Sequence, residues 1–229
     1  MKNPKEIIPD AHQSMVKELV DGFVHEVKNP LTSIGVALRA LREKTPQGDP
    51  NRQLLEQMDE QVGTINRALS DLLDFTRLSP PEAMPTGINN VLDQVLDRIR
   101  SECGRRAVKV EKHLTDNLHP IEIDGRQTEL AFLHLLLDML EAMPNGGDLV
   151  IRSGLDPDGQ IVVEMEDTGF SIQDIHLERL FKPFLSTRGR GAGIGLSMAK
   201  RIIELNRGLI RAQKRGEEGM TFSIVFPSP

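Results

Sequence analysis

VDGFVHEVKNPLTSIGVALRAL, residues 20–41, decides the architecture of the first third of the chain. Together with Val16, its residues Val20, Phe23, Val27, Leu31, Ile34, Leu38 and Leu41 recur at steps of three and four, the spacing of one stripe along a helix. The spacing predicts a helix over 10–44. Beyond the breaker-rich TPQGDPN (45–51), Leu55, Met58, Val62, Ile65, Leu69 and Leu72 repeat the pattern and predict a second long helix. Two helices joined by a short polar loop make an antiparallel hairpin, and a seam this long needs a second copy to bury it. The expectation is a homodimeric four-helix bundle.

SPPEAMP (79–85) neither continues a helix nor carries the alternation of a strand, so the domain boundary falls there. This divides the chain into a helical hairpin over 1–79, a linker at 80–85 and a second domain over 86–229. Its pattern reads as a helix at 88–103, an alternating stretch from Val108 to Leu114, a short strand at 121–124 and a strongly apolar helix at 126–143. Strands at 148–153 and 160–166 flank the turn Asp156-Pro157-Asp158-Gly159, and a loop-rich region over 167–192 leads into a helix at 193–206. Strands at 209–214 and 220–226 close the chain. The fold class is therefore α+β: the hairpin, then an α/β sandwich with helices on one face of a mixed sheet.

Composition narrows the function. With 38% hydrophobic and 27% charged residues the chain has material for a core and is too apolar for a disordered tail. No apolar run approaches the ~20 residues that cross a bilayer, and MKNPKEIIPD lacks the apolar stretch of a signal peptide. Cys103 is the one cysteine, which excludes an internal disulfide and a thiolate metal site and fits a reducing cytoplasm. Net charge −6, with no Trp and no Tyr, argues against nucleic acid as a partner.

At 100° per residue, His25 points about 155° away from the seam of Val20, Phe23, Val27 and Leu31, into water. Asn29 lies one turn on over the same face, and Glu26 is adjacent. Pro30 removes the backbone bond that would reach residue 26 and loosens the helix beside the imidazole. A lone exposed histidine is ordinarily a solvated one. A proline tolerated within the helix beside it makes a working patch the better reading.

HEVKNPLTSI (25–34) resembles the phosphoacceptor box of the sensor histidine kinases, in the nitrogen-regulator-like group. Further along, LLLDMLEAMPNGG (135–147) is similar to the family's N box, EDTGFSI (166–172) to its G1 box, LFKPFLST (180–187) to its F box and GRGAGIGLSMAKRIIE (189–204) to its G2 box. GMTFSIVFP (219–227) is similar to its closing strand. The resemblance implies an ATP-dependent protein histidine kinase that uses Mg2+. It would phosphorylate His25 and pass the phosphoryl group to an aspartate on a response-regulator receiver domain. Glu26 is the candidate base, because a carboxylate that takes the ring's other proton keeps the imidazole nucleophilic. Asn29 matches the asparagine associated with dephosphorylating the receiver. Asp138 would hold the metal with His134 one turn before it. Asp167 would accept a hydrogen bond from the adenine amine with Thr221 beside it, and Gly169 would let the backbone approach the base. Gly191, Gly193, Gly195 and Leu196 would meet the phosphates at a helix start. Phe181 and Thr187 belong to the F box, and Lys182, Arg188 and Arg190 are candidate phosphate contacts.

Three positions depart from the pattern. His134 and Asp138 stand where the N box has asparagines, and Ser171 replaces a G1 glycine. They keep a second reading open, that of a degenerate member with weak or no nucleotide binding that serves as a phosphotransfer, phosphatase or docking module. His134 and Asp138, four apart on one helix face, also fit a local hydrogen-bonded pair better than a metal site.

Overall fold

The computed structural model describes residues 9–169, 177, 180–183, 193–216 and 219–227, with the backbone alone for 9–16, 71 and 75. The chain forms two compact units, the first built mainly on residues up to Leu78 and the second on residues from Ser79.

The first is the expected hairpin. Helix α1 (Pro9–Lys44) and helix α2 (Asn51–Arg77) pack against each other. Pro30 sits inside α1 without ending it. The seam keeps Val20, Val27, Leu31 and Leu38 of the predicted stripe and adds Val24. Val24 and Leu31 with Leu69 of α2 form a buried cluster, Val20, Val27, Val62, Leu72 and Leu73 pack against it, and Leu38 is buried further along α1. Phe23, Ile34 and Leu41 are exposed instead. The correction has a geometric cause: one helix neighbour covers a strip narrower than the apolar band that α1 carries.

The second unit is a three-helix layer on a five-stranded sheet. Helices α3 (Ile88–Arg106) and α5 (Gly195–Leu205) flank the central α4 (Gly125–Glu141). Strands β2 (Val108–Leu114), β4 (Gly147–Leu155), β5 (Ile161–Asp167), β6 (Leu209–Lys214) and β7 (Met220–Phe226) lie in the order β2-β4-β5-β7-β6. The sheet is mixed as expected: β2 runs parallel to β4 and the other pairs are antiparallel. Phe132, Leu135, Leu136, Met139 and Leu140 of α4 are all fully buried, because helices lie on two sides of it and the sheet beneath. Facing them are Leu149, Ile151, Val163, Met165, Phe222 and Ile224, the inward parity of the sheet.

Two boundaries differ from the sequence reading. Met84–Thr86, assigned largely to a linker, forms strand β1 and pairs antiparallel with β3 (Ile121–Ile123) in a separate two-stranded sheet. Pro85 is tolerated there because a two-stranded ribbon has free edges. Helix α3 runs past Gly104, and the left-handed residue after it is Ala107, with φ of 54°. The extra turn is held by Arg106, whose Nε lies 2.6 Å from Glu102 and whose Nη1 donates to the Leu140 carbonyl at 3.2 Å. The start of α4 is fixed by Asp124, whose Oδ1 accepts from the amides of Arg126 and Gln127, both at 3.0 Å. Asn206, just beyond α5, receives the Asp124 amide at 2.7 Å and so ties that start to the end of α5.

Candidate phosphoacceptor and nucleotide sites

On the hairpin, His25, Glu26 and Asn29 are all exposed on α1. Since proline has no amide hydrogen, the carbonyl of Glu26 loses its usual helical donor at residue 30. Lys28 is half-buried and donates to Ser70 Oγ on α2 at 3.1 Å, and Arg77 of α2 reaches Asp21, one turn before the histidine. The imidazole therefore stands on the outer side of the hairpin between two polar ties that fix its helix to α2.

In the second unit, Gly169 just beyond β5 and Gly195 at the start of α5 both lie against the C-terminal end of α4. Asp167, the last residue of β5, is fully buried, and its Oδ1 accepts the Gly169 amide at 2.9 Å. Gly169 has no room for a side chain. A β-carbon there would lie 2.3 Å from Met143 Cγ and 2.7 Å from the Ala142 carbonyl oxygen at the end of α4. Asp138, half-buried on α4, places its carboxylate against Gly195, the first residue of α5, where a β-carbon would meet Oδ2 at 2.9 Å. A helix start presents bare amides and a partial positive charge. The same spot thus carries a hard oxygen donor and an anion-attracting helix end. Leu196 turns inward and is buried. Phe181 meets Phe222 edge to face, with ring centroids 6.4 Å apart, and Lys200 Nζ lies 5.4 Å from the Phe181 ring centre.

Residues 15–81 match the His Kinase A (phospho-acceptor) domain family, and residues 123–229 match the histidine kinase-, DNA gyrase B- and HSP90-like ATPase family. The chain belongs to the sensor histidine kinases. It is 28% identical over 211 residues to the signal transduction histidine-protein kinase AtoS of Escherichia coli, a match covering 92% of this chain and 34% of AtoS. To the sensor histidine kinase ZraS of Salmonella typhi it is 24% identical, covering 99% of this chain and 48% of ZraS. The chain therefore spans between a third and a half of these relatives. The fold is shared with full-length ShkA, crystallised in complex with AMPPNP, at a TM-score of 0.69 and 21% identity over 92% of this chain and 45% of that one.

Within this kinase core, one expected neighbour is displaced. Thr221 pairs with Glu166, not with Asp167, and so lies on the opposite face of the sheet. That face carries the Glu166 carboxylate between Arg152 Nη1 at 2.7 Å and Arg215 Nε at 3.5 Å. The Glu166 carboxylate also raises the pKa of the Arg152 guanidinium above its usual value. The residue opposite Asp167 is Met220, itself fully buried. The parity of β7, read outward from its buried Phe222, was the signal available for this in the sequence. Met143, wedged between Gly147, Thr168 and Gly169, is the other wall residue that sequence reasoning missed. His134 and Asp138 are both half-buried on α4, and Gly193 lies just before α5. Thr187, Arg188, Arg190, Gly191 and Ser171 fall outside the described residues, whereas Lys182 is exposed. No helix among the described residues is long and apolar enough to cross a membrane.

Proposed function

We propose that this chain is the catalytic core of a two-component kinase that phosphorylates its own His25 from Mg-ATP and passes the phosphoryl group to an aspartate of a response-regulator receiver domain. The observation that carries the proposal is an exposed imidazole with a carboxylate beside it on a helical hairpin, in the same chain as a buried aspartate and an acid-lined helix start suited to a nucleotide. A neutral nitrogen of His25 attacks the γ-phosphorus as the bond to the ADP oxygen breaks. Glu26 takes the proton from the other nitrogen. Asn29 serves the reverse reaction by orienting water toward the phosphorylated receiver.

Nucleotide binding falls to the second unit. Asp167 would accept a hydrogen bond from the adenine amine, with Gly169 allowing close approach. His134, Phe181, Thr187, Arg188, Gly191, Gly193, Gly195 and Leu196 complete the nucleotide site. The AMPPNP bound by ShkA supports a nucleotide in a fold of this kind. Asp138 offers oxygen donors of the kind magnesium takes, beside a glycine whose missing side chain leaves space for it. Magnesium held there would neutralise charge on the triphosphate, and most of the remaining catalysis is positioning.

The hairpin, residues 1–79, would also be the dimerisation element, joined through 80–85 to the catalytic domain at 86–229. Leu19, Phe23, Ile34, Val36 and Leu41 of α1 and Leu54, Met58 and Ile65 of α2 remain exposed on the single chain. An apolar band of that size supports a second copy packed against it. The chain would work in the cytoplasm.

Incubation with γ-labelled ATP and magnesium tests the reading. Label that resists alkali, is released by acid and disappears in His25→Ala is expected. No label, together with no nucleotide binding by calorimetry, would overturn it.

A further inference from the structure

The hairpin carries an unusual concentration of charge around His25. Asp21 stands one turn before the histidine on α1, so the two side chains are neighbours on one face. From α2, Arg77 grips that carboxylate with both sides of its fork, Nε to Oδ1 at 3.0 Å and Nη2 to Oδ2 at 3.0 Å. The other groups along this stretch are Lys17, Glu26, Lys28 and Asn29 on α1, and Ser70 and Asp74 on α2. The Arg77 hydrogen bond holds the Asp21 carboxyl below the usual carboxylate range, and the charges of Arg77, Lys17 and His25 contribute in the same direction. Asp21, with Asp74 behind it, in turn raises the Arg77 guanidinium.

The pair is open to water, with side-chain exposures of 46% for Arg77 and 30% for Asp21, so exchanging one partner for another carries little desolvation cost. A guanidinium fork fits phosphoryl oxygens as well as it fits a carboxylate. A phosphoryl group on His25 adds between one and two negative charges one helical turn from Asp21. The carboxylate then faces a like charge, and the one guanidinium gripping it faces a stronger attractor.

We propose that the Asp21–Arg77 pair is a charge-exchange seat for the modified histidine: Arg77 leaves Asp21 for the phosphoryl oxygens when His25 is phosphorylated, and the released Asp21 limits the lifetime of that state. The inference rests on His25 being the phosphoacceptor. Cleavage of a phosphorus–nitrogen bond near neutral pH requires the ring to take up a proton. A guanidinium at the phosphoryl group opposes that uptake, and a carboxylate one turn away favours it. The two members of the pair therefore act on the phosphorylated state with opposite signs.

The opposite signs make the test. The full chain, Asp21→Asn and Arg77→Met are charged with phosphoramidate, whose phosphorus–nitrogen bond breaks as the new one forms on His25 and ammonia leaves with the ring proton. Decay of the phosphohistidine is followed by phosphorus NMR at fixed pH. Arg77→Met is expected to shorten the lifetime about two- to fivefold and Asp21→Asn to lengthen it by a similar factor. A tie that merely holds the helices together would move both variants in the same direction, and that result, or no change in either, overturns the proposal. If the wild-type chain takes phosphoryl from phosphoramidate but not from ATP, the kinase reading fails while the seat stands. If it takes both and the variants show no opposition, the seat alone fails.

Discussion

A single methyl group added at residue 169 tests the proposed nucleotide pocket at the end of α4. In Gly169→Ala the new β-carbon would start 2.3 Å from Met143 Cγ, 2.7 Å from the Ala142 carbonyl oxygen and 3.1 Å from its carbon. Met143 has rotatable bonds, but it is buried and already close to Gly147 and Thr168, so it has little space to yield. The Ala142 carbonyl is backbone at the end of α4, where the Ala142 amide donates to the carbonyls of Asp138 at 3.2 Å and Met139 at 3.1 Å. That helix end is pinned. Residue 169 must therefore withdraw, by about 1 Å if ordinary contact is to be regained. A shift of that size breaks the 2.9 Å bond from the Gly169 amide to Asp167 Oδ1 and frees the carboxylate from its orientation.

The overpacking costs about 1–3 kcal/mol and the lost hydrogen bond about 1 kcal/mol. Each 1.4 kcal/mol expressed in binding is about a tenfold loss of affinity. Calorimetric titration of the full chain with Mg-ATP, beside denaturant unfolding, measures the two consequences. The expected result is nucleotide affinity at least about tenfold weaker, with the unfolding midpoint of the second unit lowered. Combining Gly169→Ala with Met143→Leu is expected to give no rescue, because the Ala142 contact is untouched. Affinity within twofold of the parent and an unmoved midpoint would refute the reasoning, and rescue by Met143→Leu would refute its backbone part.

Asp138→Asn is expected to reduce the metal dependence of nucleotide binding. A carboxylate ~4 Å from a phosphate oxygen at an effective dielectric of ~20 opposes bare ATP by about 4 kcal/mol, and a divalent ion between them reverses that sign. The ratio of affinity with magnesium to affinity with a chelator present should fall at least about tenfold in the variant, and an unchanged ratio would count against Asp138 as the metal-facing group. Glu102 supplies a pH test. Arg106 first, and Arg105 after it, hold its carboxyl below the ordinary glutamate range, so its contribution to stability is present above about pH 4.5 and is lost as pH falls through the lowered folded value. Glu102→Gln should flatten the acid side of the unfolding midpoint between about pH 5 and pH 3, and a slope equal to that of the parent would show that the Arg105 and Arg106 contacts contribute nothing.

The division of labour between sequence and tertiary structure follows from what each kind of pattern encodes. Period 3.6 in Val20, Val27, Leu31 and Leu38 declares a helix and needs no neighbour to do so, which is why α1 and α2 were legible almost to the residue. It does not say which part of a broad apolar band meets which partner, so Val24 rather than Phe23 fills the seam. Strand β1 was illegible for a related reason. Three residues including a proline have no periodicity of their own, and Met84–Thr86 is a strand only because Ile121–Ile123 arrives beside it from far along the chain. Thr221 shows a third case. Its motif was recognised correctly, but a role assigned one residue out of step lands on the opposite face of a sheet, whose period is two.

Asp138 joins the two levels. From residue types alone, a carboxylate replacing an amide near a triphosphate has opposite effects with and without a divalent ion, and the two are of comparable size. The fold adds a third charge. Asp138 lies against Gly195, and the first turn of α5 carries a partial positive charge of its own. In the absence of nucleotide that helix end offsets part of the carboxylate's charge. Under the proposed function, an entering triphosphate would compete with Asp138 for it, and a metal ion held by both would remove the competition. Asp138, which departs from the N box in the sequence, would then be, beside α5, a reason for nucleotide and cation to arrive together.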